Sequence, residues 1–535
     1  MSVAPQEIIF KSPYPDVAIP DVPLHEFVLE RAAELGERPA LVDGVTGRTI
    51  SYAQLAADVR RLAAGLAQRG FRKGDVFAIY SPNVPEYATT FLGVARVGGV
   101  NTTINPLYTA DELADQLEDA RARYLLTIPT FLDKAREAAR RTNVEEVFVL
   151  GEAEGATPFA ALFDSTADPP RVSIDPANDL VALPYSSGTT GLSKGVMLTH
   201  RNLVANLCQF GSLGHYQPDD RIVAVLPFFH IYGMVVIMAA ALRNGSTIVT
   251  LPRFELEQFL QVVQDYRITV TYLVPPIVLA LAKHPAVDKY DLSSVRLVFS
   301  GAAPLGEELE RACSQRLGGA PVLQGYGMTE ASPVTHLNAM RDLSEARPGS
   351  VGRTVPNTEC KIVDPVSGEA LGPGQDKPGE VCIRGPQVMK GYLNNPEASR
   401  QMLAPDGWLH TGDIGYIDQD GFLYVVDRLK ELIKYKGLQV PPAELEAVLV
   451  SHPAVADAAV IPSPDEEAGE VPKAFVVLKP QASVSAEDLM SHVGGRVAPH
   501  KRVRRLEFID QIPKSPSGKI LRRLLVERER QKQVT

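Results

Sequence analysis

The chain has 535 residues, of which 45% are apolar and 22% are charged, and its formal net charge is −10. Since a single hydrophobic core stops growing near ~250–300 residues, the length predicts two or more domains. The acidic balance provides no general positive field for nucleic acid, which argues against a duplex-binding function.

Strands and helices are predicted to alternate along the first part of the chain. Ser51-Tyr-Ala-Gln54 reads as a capping box, and apolar residues at helical spacing follow it. A short strand over 76–80 and a helix from about Glu86 come next. Later strands are predicted over 221–226, 246–251, 269–274 and 296–299, with helices over 256–266 and 306–317. This alternation indicates an α/β fold with largely parallel sheets.

The sequence changes character after about Gly349 and again near Asp427. Glycine, proline and turn signals multiply between these points, which predicts a β-rich subdomain with short strands over about 350–427. The remaining residues predict a helix over 442–450 and strands over 455–461 and 473–478. This length is enough for a small α+β domain.

No segment predicts export or membrane insertion. The N-terminal stretch MSVAPQEIIFKSPYPD has acidic residues and prolines but no apolar core of a signal peptide. The apolar run around 234–242 is shorter than the ~20 residues that span a bilayer. The four cysteines have no metal-ligand or redox spacing, a usage typical of a reducing compartment. We therefore expect a cytoplasmic protein without a transmembrane segment.

The stretch YSSGTTGLSKG over 185–195 has the composition of a phosphate-binding loop. Small hydroxylated residues and glycine bring backbone N–H groups close to a ligand, and Lys194 adds a mobile positive charge. A P-loop ATPase would have glycine before the lysine and serine or threonine after it. Here Ser193 and Gly195 occupy those positions, and the residues that follow read as a strand. The loop therefore predicts a nucleotide site of another kind.

Five further motifs follow this loop in a fixed order: GAAP at 301–304, QGYGMTE at 324–330, GWLHTGD at 407–413, DRLKELIKYKG at 427–437 and PKSPSGK at 513–519. Together the six segments resemble the adenylate-forming superfamily of acyl-CoA synthetases, adenylation domains and beetle luciferases. Within it, the chain resembles the 4-coumarate–CoA ligases and related acyl-CoA synthetases. The resemblance implies a large N-terminal domain over 1–429, made of two α/β sheets and the β-rich subdomain. A small mobile α+β domain over 430–535 would turn about a hinge at Lys430.

The family reaction has two halves. A carboxylate attacks the α-phosphate of ATP to give an acyl-adenylate and pyrophosphate, and a thiolate, usually of coenzyme A, then displaces AMP. Positive charge and N–H dipoles must offset the repulsion between the two anions. Water must be kept from the adenylate, and a movement must then admit the thiol. The implied cofactors are ATP and Mg²⁺, with coenzyme A as co-substrate.

The resemblance assigns the ATP/AMP site to Ser186, Ser187, Gly188, Thr189, Thr190, Lys194, Ala302, Gln324, Gly325, Tyr326, Thr329, Asp413, Arg428, Lys430, Lys434 and Lys519. Glu330 is the expected Mg²⁺ ligand, because a hard carboxylate oxygen suits that ion. Lys519 would offset charge during adenylation, as a compact charge on a flexible stem. Its basic neighbours Arg522 and Arg523 are expected to be solvated residues of a basic tail.

The same resemblance assigns the second half-reaction and the acid. The expected coenzyme A contacts are Arg253, Lys436 and Gly437. The catalytic set comprises Lys519, Thr329, Glu330 and His230, the last of which would lie beside the acyl carboxylate. The acyl pocket is expected to be lined by Tyr232, Val236, Gly301, Ala302, Gly327, Pro333 and Val334. By their position, Ser332, Thr335 and His336 are further candidates for this pocket.

Several alternatives stay open. The segment ASPVTH over 331–336 departs from the plant coumarate pattern, so medium- or long-chain fatty acids and other aryl acids compete with hydroxycinnamates. The thiol acceptor is free coenzyme A or a carrier protein, and the absence of a carrier domain in this chain favours coenzyme A. A nucleotide sensor without catalysis is disfavoured by the joint presence of Lys519, Asp413 and Glu330. Both a monomer and a homodimer are compatible with the sequence.

Overall fold

The structure is a computed structural model that describes residues 8–165, 167–187, 193–429, 431–436, 438–465, 468–515 and 518–534. The strands of the described residues are β1 (Phe10–Lys11), β2 (Pro39–Asp43), β3 (Thr49–Ser51), β4 (Val76–Tyr80), β5 (Val100–Thr103), β6 (Ala122–Thr127), β7 (Glu146–Val149), β8 (Thr157–Pro158), β9 (Leu180–Ser187), β10 (Ser193–Thr199), β11 (Arg221–Ala224), β12 (Thr247–Thr250), β13 (Val270–Leu273), β14 (Leu297–Ser300), β15 (Val322–Gly327), β16 (Val334–Leu337), β17 (Arg353–Thr354), β18 (Glu359–Val363), β19 (Ala370–Leu371), β20 (Gly379–Arg384), β21 (Gly391–Tyr392), β22 (Leu409–Ile417), β23 (Leu423–Arg428), β24 (Ile433–Tyr435), β25 (Leu438–Val440), β26 (Val455–Asp465), β27 (Gly469–Leu478) and β28 (Arg505–Phe508).

The α-helices of the same residues are α1 (Leu24–Leu29), α2 (Ala32–Leu35), α3 (Tyr52–Gln68), α4 (Pro85–Arg96), α5 (Ala110–Asp119), α6 (Leu132–Ala139), α7 (His200–Gly211), α8 (Ala240–Asn244), α9 (Leu256–Asp265), α10 (Pro275–Lys283), α11 (Glu307–Arg316), α12 (Pro396–Met402), α13 (Pro442–Ser451), α14 (Ala486–Gly494) and α15 (Arg522–Val534). Short 3₁₀ turns lie at Pro129–Phe131, Phe159–Phe163, Pro285–Lys289, Thr329–Ala331, Met340–Glu345 and Pro499–Lys501. A π-helical segment spans Tyr232–Ala239.

Two large sheets form the N-terminal part. Sheet I has the strand order β21-β10-β9-β5-β4-β6-β7-β8, and sheet II has the order β17-β16-β15-β14-β13-β11-β12-β2-β3. The inner pairs of both sheets are parallel, whereas the edge strands β10, β21, β3, β16 and β17 pair antiparallel. The largest buried apolar cluster contains residues of both sheets and of the helices α3, α4 and α7. The two α/β sheets predicted from the sequence are confirmed.

Two smaller sheets complete the fold. Sheet III is antiparallel, with the order β1-β18-β20-β22-β23 and β19 paired to β18, and sheet IV has the order β25-β24-β27-β26 with β28 beside β27. Sheet III corresponds to the predicted β-rich region, although it also recruits β1 from the N-terminus, through the pair Phe10 and Cys360. Sheet IV packs on α13 and α14 around an apolar cluster of its own. The small α+β part is thus present.

Local sequence explains several element boundaries. Ser51 is the N-cap of α3, and its hydroxyl accepts a hydrogen bond from the backbone N–H of Gln54, which is one half of the predicted capping box. The Gln54 side chain donates to Asp58 instead of returning to Ser51. Strand β4 begins and ends where its apolar run does, and all five of its residues are buried. The segment Tyr232–Ala239 forms a π-helix. Its residues are apolar on every side, so the spacing of apolar residues in the sequence does not indicate which type of helix forms.

Two expectations about the chain as a whole can be compared with the structure. In the described ranges, no helix combines the length and apolar character needed to cross a membrane. All four cysteines are free thiols.

The prediction that Arg522 is a solvated residue is wrong: its side chain is only 15% exposed and pairs with Glu431 and Glu446. Arg523 is 64% exposed, as expected.

Candidate active site

A cavity of about 80 Å³ opens where the carboxyl ends of β14 and β15 meet the start of the π-helix. Ligands of open α/β sheets bind at such carboxyl ends. The wall is formed by residues from sheet II, the π-helix, the 325–337 segment and one lysine of the C-terminal part: Phe210, His215, Tyr216, His230, Ile231, Tyr232, Val236, Tyr272, Phe299, Ser300, Gly301, Ala302, Gly325, Tyr326, Gly327, Met328, Thr329, Pro333, Val334, Leu337 and Lys519.

Lys519 reaches this cavity from the C-terminal part of the chain. Burial and the nearby positive charge of Arg428 lower the pKa of its ammonium to about 8, while Asp413 and Glu330 act in the opposite direction. The residue before it, Gly518, has φ +78°, and a Cβ added there would lie 3.0 Å from Cγ2 of Val274. Glycine therefore lets the lysine loop lie directly on sheet II.

The loop that carries Lys519 is fastened to sheet IV. Lys514 pairs with Ile520 across the loop, and its ammonium lies 2.6 Å from the carboxylate of Asp457 in β26. Lys434, in β24 of the same sheet, is exposed, and so is Lys436, which has φ +47°. Sheet IV thus anchors the loop that places Lys519 in the cavity, while Lys434 and Lys436 are exposed.

His230 stands at the start of the π-helix and lines the cavity. Its Nδ1 accepts a hydrogen bond of 3.2 Å from the backbone N–H of Tyr232, so the neutral ring carries its proton on Nε2. Burial and the charge of Lys519 lower the pKa of the ring to about 3. The imidazole is therefore neutral at physiological pH and offers one N–H donor.

Asp413 forms a second corner with Tyr326 and Arg428. Its Oδ2 accepts a hydrogen bond of 2.6 Å from the Tyr326 hydroxyl, and its Oδ1 lies 3.4 Å from Nε of Arg428. Asp413 and Arg428 face each other across β22 and β23. Burial raises the pKa of the carboxyl, and Arg428 opposes this shift. When ionised, this carboxylate can accept hydrogen bonds from a vicinal diol such as a ribose.

Glu330 lies on the phosphate-loop side. Its Oε1 accepts hydrogen bonds from the hydroxyls of Ser186, at 3.0 Å, and Tyr392, at 2.7 Å. The Lys194 ammonium lies 5.1 Å from the centre of the Tyr392 ring. Ser186 and Lys194 are opposite each other in the antiparallel pair of β9 and β10. A carboxylate beside a hydroxyl is a donor set that fits Mg²⁺, which binds one or two carboxylates together with phosphate oxygens.

Some predicted residues contribute no described side chain to the cavity. Gly188, Thr189, Thr190, Lys430 and Gly437 lie outside the described residues, and Ser187 is described only as the last residue of β9. Gln324 exchanges two hydrogen bonds with the backbone of Leu305 and donates one to Glu310, so its side chain positions the loop after β14. Arg253 is 77% exposed and pairs with Glu255 at 2.5 Å.

Seven residues predicted for the acyl pocket line the cavity: Tyr232, Val236, Gly301, Ala302, Gly327, Pro333 and Val334. The further candidates Ser332, Thr335 and His336 do not line it, because their side chains form hydrogen bonds within the protein. Sequence reasoning did not single out five further lining residues, here called the aromatic wall: Phe210, His215, Tyr216, Tyr272 and Phe299. These residues come from α7, the loop after it and two strands of sheet II. No local pattern in the sequence links them, because only the fold brings them together.

Comparisons with known proteins agree with this arrangement. The family model described as "AMP-binding enzyme" matches residues 28–393, and "AMP-binding enzyme C-terminal domain" matches residues 444–519. The chain is 47% identical to 4-coumarate–CoA ligase 5 of Oryza sativa subsp. japonica, over 98% of each chain.

Two solved structures are similar over nearly their whole length. An anthranilate–CoA ligase in complex with anthranoyl-AMP has a TM-score of 0.88 at 26% identity, covering 97% of this chain and 99% of that one. The ATP-bound RpMatB-BxBclM chimera B1 has a TM-score of 0.85 at 32% identity, covering 95% and 99%. The resemblance inferred from the six sequence motifs is confirmed.

Proposed function

The chain belongs to the AMP-binding enzyme family of adenylate-forming acid–thiol ligases, and from this premise we propose that its acid is an aryl carboxylic acid of the hydroxycinnamate type and its thiol coenzyme A. The observation that carries this proposal is the position of Lys519. Its ammonium lines one cavity together with His230 and is influenced by Asp413 and Glu330. Two anionic reactants need such a charge where they meet.

The described residues suggest how adenylation proceeds. The Nε2–H of His230 orients the acyl carboxylate, and Lys519 offsets the repulsion between that carboxylate and the α-phosphate of ATP. Thr329 donates to the α-phosphate, and Asp413 accepts from the ribose hydroxyls. The small residues Gly301 and Ala302 would let the adenine and acyl planes approach the backbone. Mg²⁺ held by Glu330 would neutralise phosphate charge when it is bound.

For the second half-reaction, the small domain would turn about Lys430. This rotation would withdraw Lys519 and bring Lys436 and Gly437 to the adenylate, with Lys434 on the AMP side. Arg253, on the surface, would then bind the nucleotide end of coenzyme A. The exposure of Lys434, Lys436 and Arg253, while Lys519 is half-buried and lines the cavity, supports this scheme.

The aromatic wall favours an aryl acid over the fatty acids that the sequence left open. Tyr216, Tyr232, Tyr272 and Phe299 all contribute rings to one cavity. Aromatic rings pack well against each other in offset or edge-on contacts. The 47% identical rice relative carries the name of an aryl acid, coumarate. The four free cysteines also suit the reducing conditions of the cytoplasm.

The test is pyrophosphate release with hydroxycinnamates, benzoates and medium- and long-chain fatty acids, each with and without coenzyme A. Release that depends on an aryl acid, together with loss of the coenzyme A thiol, supports the proposal. Pyrophosphate release with fatty acids alone would show that the substrate is a fatty acid rather than an aryl acid. Release without consumption of the coenzyme A thiol would show that the acyl group goes to another acceptor. Orthophosphate release would indicate an ATPase, and no release would indicate a sensor.

A further inference from the structure

One face of sheet III carries three side chains that are common metal ligands. Glu380 and Cys382 are two residues apart in β20, so their side chains leave the same face of the sheet. His410, in β22, is the register partner of Cys382. Val381 and Ile383 alternate with these residues along β20 and belong to the apolar cluster on the other face. The candidate active-site cavity is lined by other residues, so the three side chains lie outside the site described above.

The ligand atoms of these three side chains converge. Nδ1 of His410 lies 3.5 Å from Sγ of Cys382 and 2.9 Å from Oε2 of Glu380. All three atoms lie within 4.8 Å of one another. Around a tetrahedral Zn²⁺ with bonds of about 2.0–2.3 Å, ligand atoms are about 3.3–3.8 Å apart. Small side-chain rotations would therefore bring all three atoms onto one ion.

The surrounding backbone orients the carboxylate before an ion binds. A bulge interrupts the pairing of β20 with β22 between Glu380 and Cys382. Near it, Gly412 has φ +71° and donates its backbone N–H to Oε1 of Glu380 at 3.0 Å. Outer hydrogen bonds of this kind hold metal ligands in place. Cys382 is buried, whereas the His410 side chain is 36% exposed, so an ion can enter from the solvent on the histidine side.

The three donor types determine the class of ion. Thiolate sulfur and imidazole nitrogen favour Zn²⁺ and related transition cations, whereas Mg²⁺ binds oxygen ligands. The Mg²⁺ expected at Glu330 would therefore not compete for these residues. When the ion binds, the thiol of Cys382 releases its proton to solvent, and the His410 ring keeps its proton on Nε2. The thiolate and the Glu380 carboxylate then balance the two charges of the ion.

We propose that Glu380, Cys382 and His410 form a binding site for Zn²⁺ or a transition cation of the same class, with water as the fourth ligand. The ion would tie β20 to β22, the strand that also carries Asp413. The spacing of the cysteines along the sequence did not predict this site. Its ligands meet only through the register of the two strands.

The test titrates the untagged, chelator-treated full chain with Co²⁺, a spectroscopic substitute for Zn²⁺, in excess Mg²⁺. The wild type should bind one Co²⁺ with the near-ultraviolet charge-transfer absorption of a cobalt–thiolate bond. Cys382→Ala should lose this absorption. His410→Ala should bind at least about tenfold more weakly, the scale on which even an outer partner of a metal ligand acts. Cys360→Ala is the matched control, because this cysteine lies in the neighbouring strand β18 and belongs to the apolar cluster.

Trp408, the single tryptophan of the sequence, reports where the ion binds. It lies two residues before His410, which is about 7 Å along an extended chain. Co²⁺ should quench its fluorescence with the same midpoint as the charge-transfer absorption. Zn²⁺ should also raise the melting temperature of the wild type and of Cys360→Ala, but not that of His410→Ala, because an ion that binds only the folded chain stabilises it.

Three outcomes would overturn the proposal. The first is a wild type without the cobalt–thiolate absorption, which would leave the three side chains as a hydrogen-bonded group only. The second is the same absorption in Cys382→Ala, or absorption without quenching of Trp408, either of which would place the ion at another cysteine. The third is an equal rise in melting temperature with Zn²⁺ in the wild type and His410→Ala. None of these results depends on the acid or the thiol of the proposed ligase reaction.

Discussion

The Tyr326 hydroxyl donates a hydrogen bond of 2.6 Å to Asp413, and this contact joins sheet II to sheet III across the candidate nucleotide site. Tyr326 belongs to β15 and Asp413 to β22, two strands that are far apart in the sequence. Arg428 holds the second carboxylate oxygen from the neighbouring strand. The carboxylate is therefore fixed from both sides before any ligand binds, which reduces the ordering that binding would otherwise require.

Asp413→Ala should raise KM for ATP by about 10- to 100-fold, because a hydrogen bond to a charged group contributes ~1.5–3 kcal/mol. Tyr326→Phe should have a smaller effect in the same direction, since the acceptor stays but loses one fixed contact. Initial rates of pyrophosphate release at varied ATP measure both. Tyr416→Phe, in the same strand β22 and stacked on Tyr424, is a matched control. An unchanged KM in Asp413→Ala would remove this residue from the nucleotide site.

Lys519→Ala should impair adenylation by about two to three orders of magnitude, the scale on which removal of one preorganised electrostatic contact acts. The same variant should still convert supplied acyl-adenylate to the thioester. Gly437→Trp should do the reverse, because a bulky side chain would block the proposed thiol path. ATP–pyrophosphate exchange and thioester formation from synthetic adenylate measure the two halves separately. Loss of the same half-reaction in both variants would contradict the proposed rotation.

The pH dependence of adenylation should report Lys519. Its pKa is lowered to about 8, primarily by burial, and the protonated form carries the charge that the reaction needs. As pH rises through that value, the ammonium loses its proton and kcat/KM, which reflects the free enzyme, should fall. In Lys519→Arg the alkaline decline should vanish, because the guanidinium does not deprotonate in this range. A decline with the same midpoint in Lys519→Arg would assign the titration to another group.

Arg522 should stabilise the C-terminal part of the chain. Its guanidinium donates to both carboxylate oxygens of Glu446, at 2.9 and 2.7 Å, and also contacts Glu431. Arg522→Met should destabilise this part by ~3–5 kcal/mol, because it leaves a buried carboxylate without its partner. Arg523→Met is the neighbouring control, since its exposed pair with Glu527 is expected to contribute under ~1 kcal/mol. Thermal unfolding measures both, and equal melting temperatures for the two variants would contradict the expectation.

The sequence was most informative where local pattern and fold agree. The strand over 76–80 and the helix cap at Ser51 were predictable, because burial period and capping chemistry act over a few residues. The pairing of β1 with β18 was not predictable, since it joins residues about as far apart as Phe10 and Cys360. In the sequence, Arg522 looks like a solvated tail residue, because nothing local shows that α15 packs on β26.

The candidate site also contains features that were predictable from the sequence and features that were not. Motif order and resemblance led to Lys519, Asp413, Glu330 and His230, and the structure brings these side chains to one region. The role of Gln324 in holding Leu305, and the meeting of Tyr272 and Phe299 in the cavity wall, depend on three-dimensional neighbours. Such contacts have no signature in a single sequence.

The anchoring of the Lys519 loop to the sheet that carries Lys434, through Lys514 and Asp457, has a practical consequence. A binder or cross-link that immobilised sheet IV in this position should let each molecule form one acyl-adenylate, which is a mixed anhydride. The rotation that admits the thiol would then be blocked, so the intermediate would stay bound. The protein would become a stoichiometric trap for its own intermediate, ready for mass spectrometry or crystallisation with an unknown acid still attached.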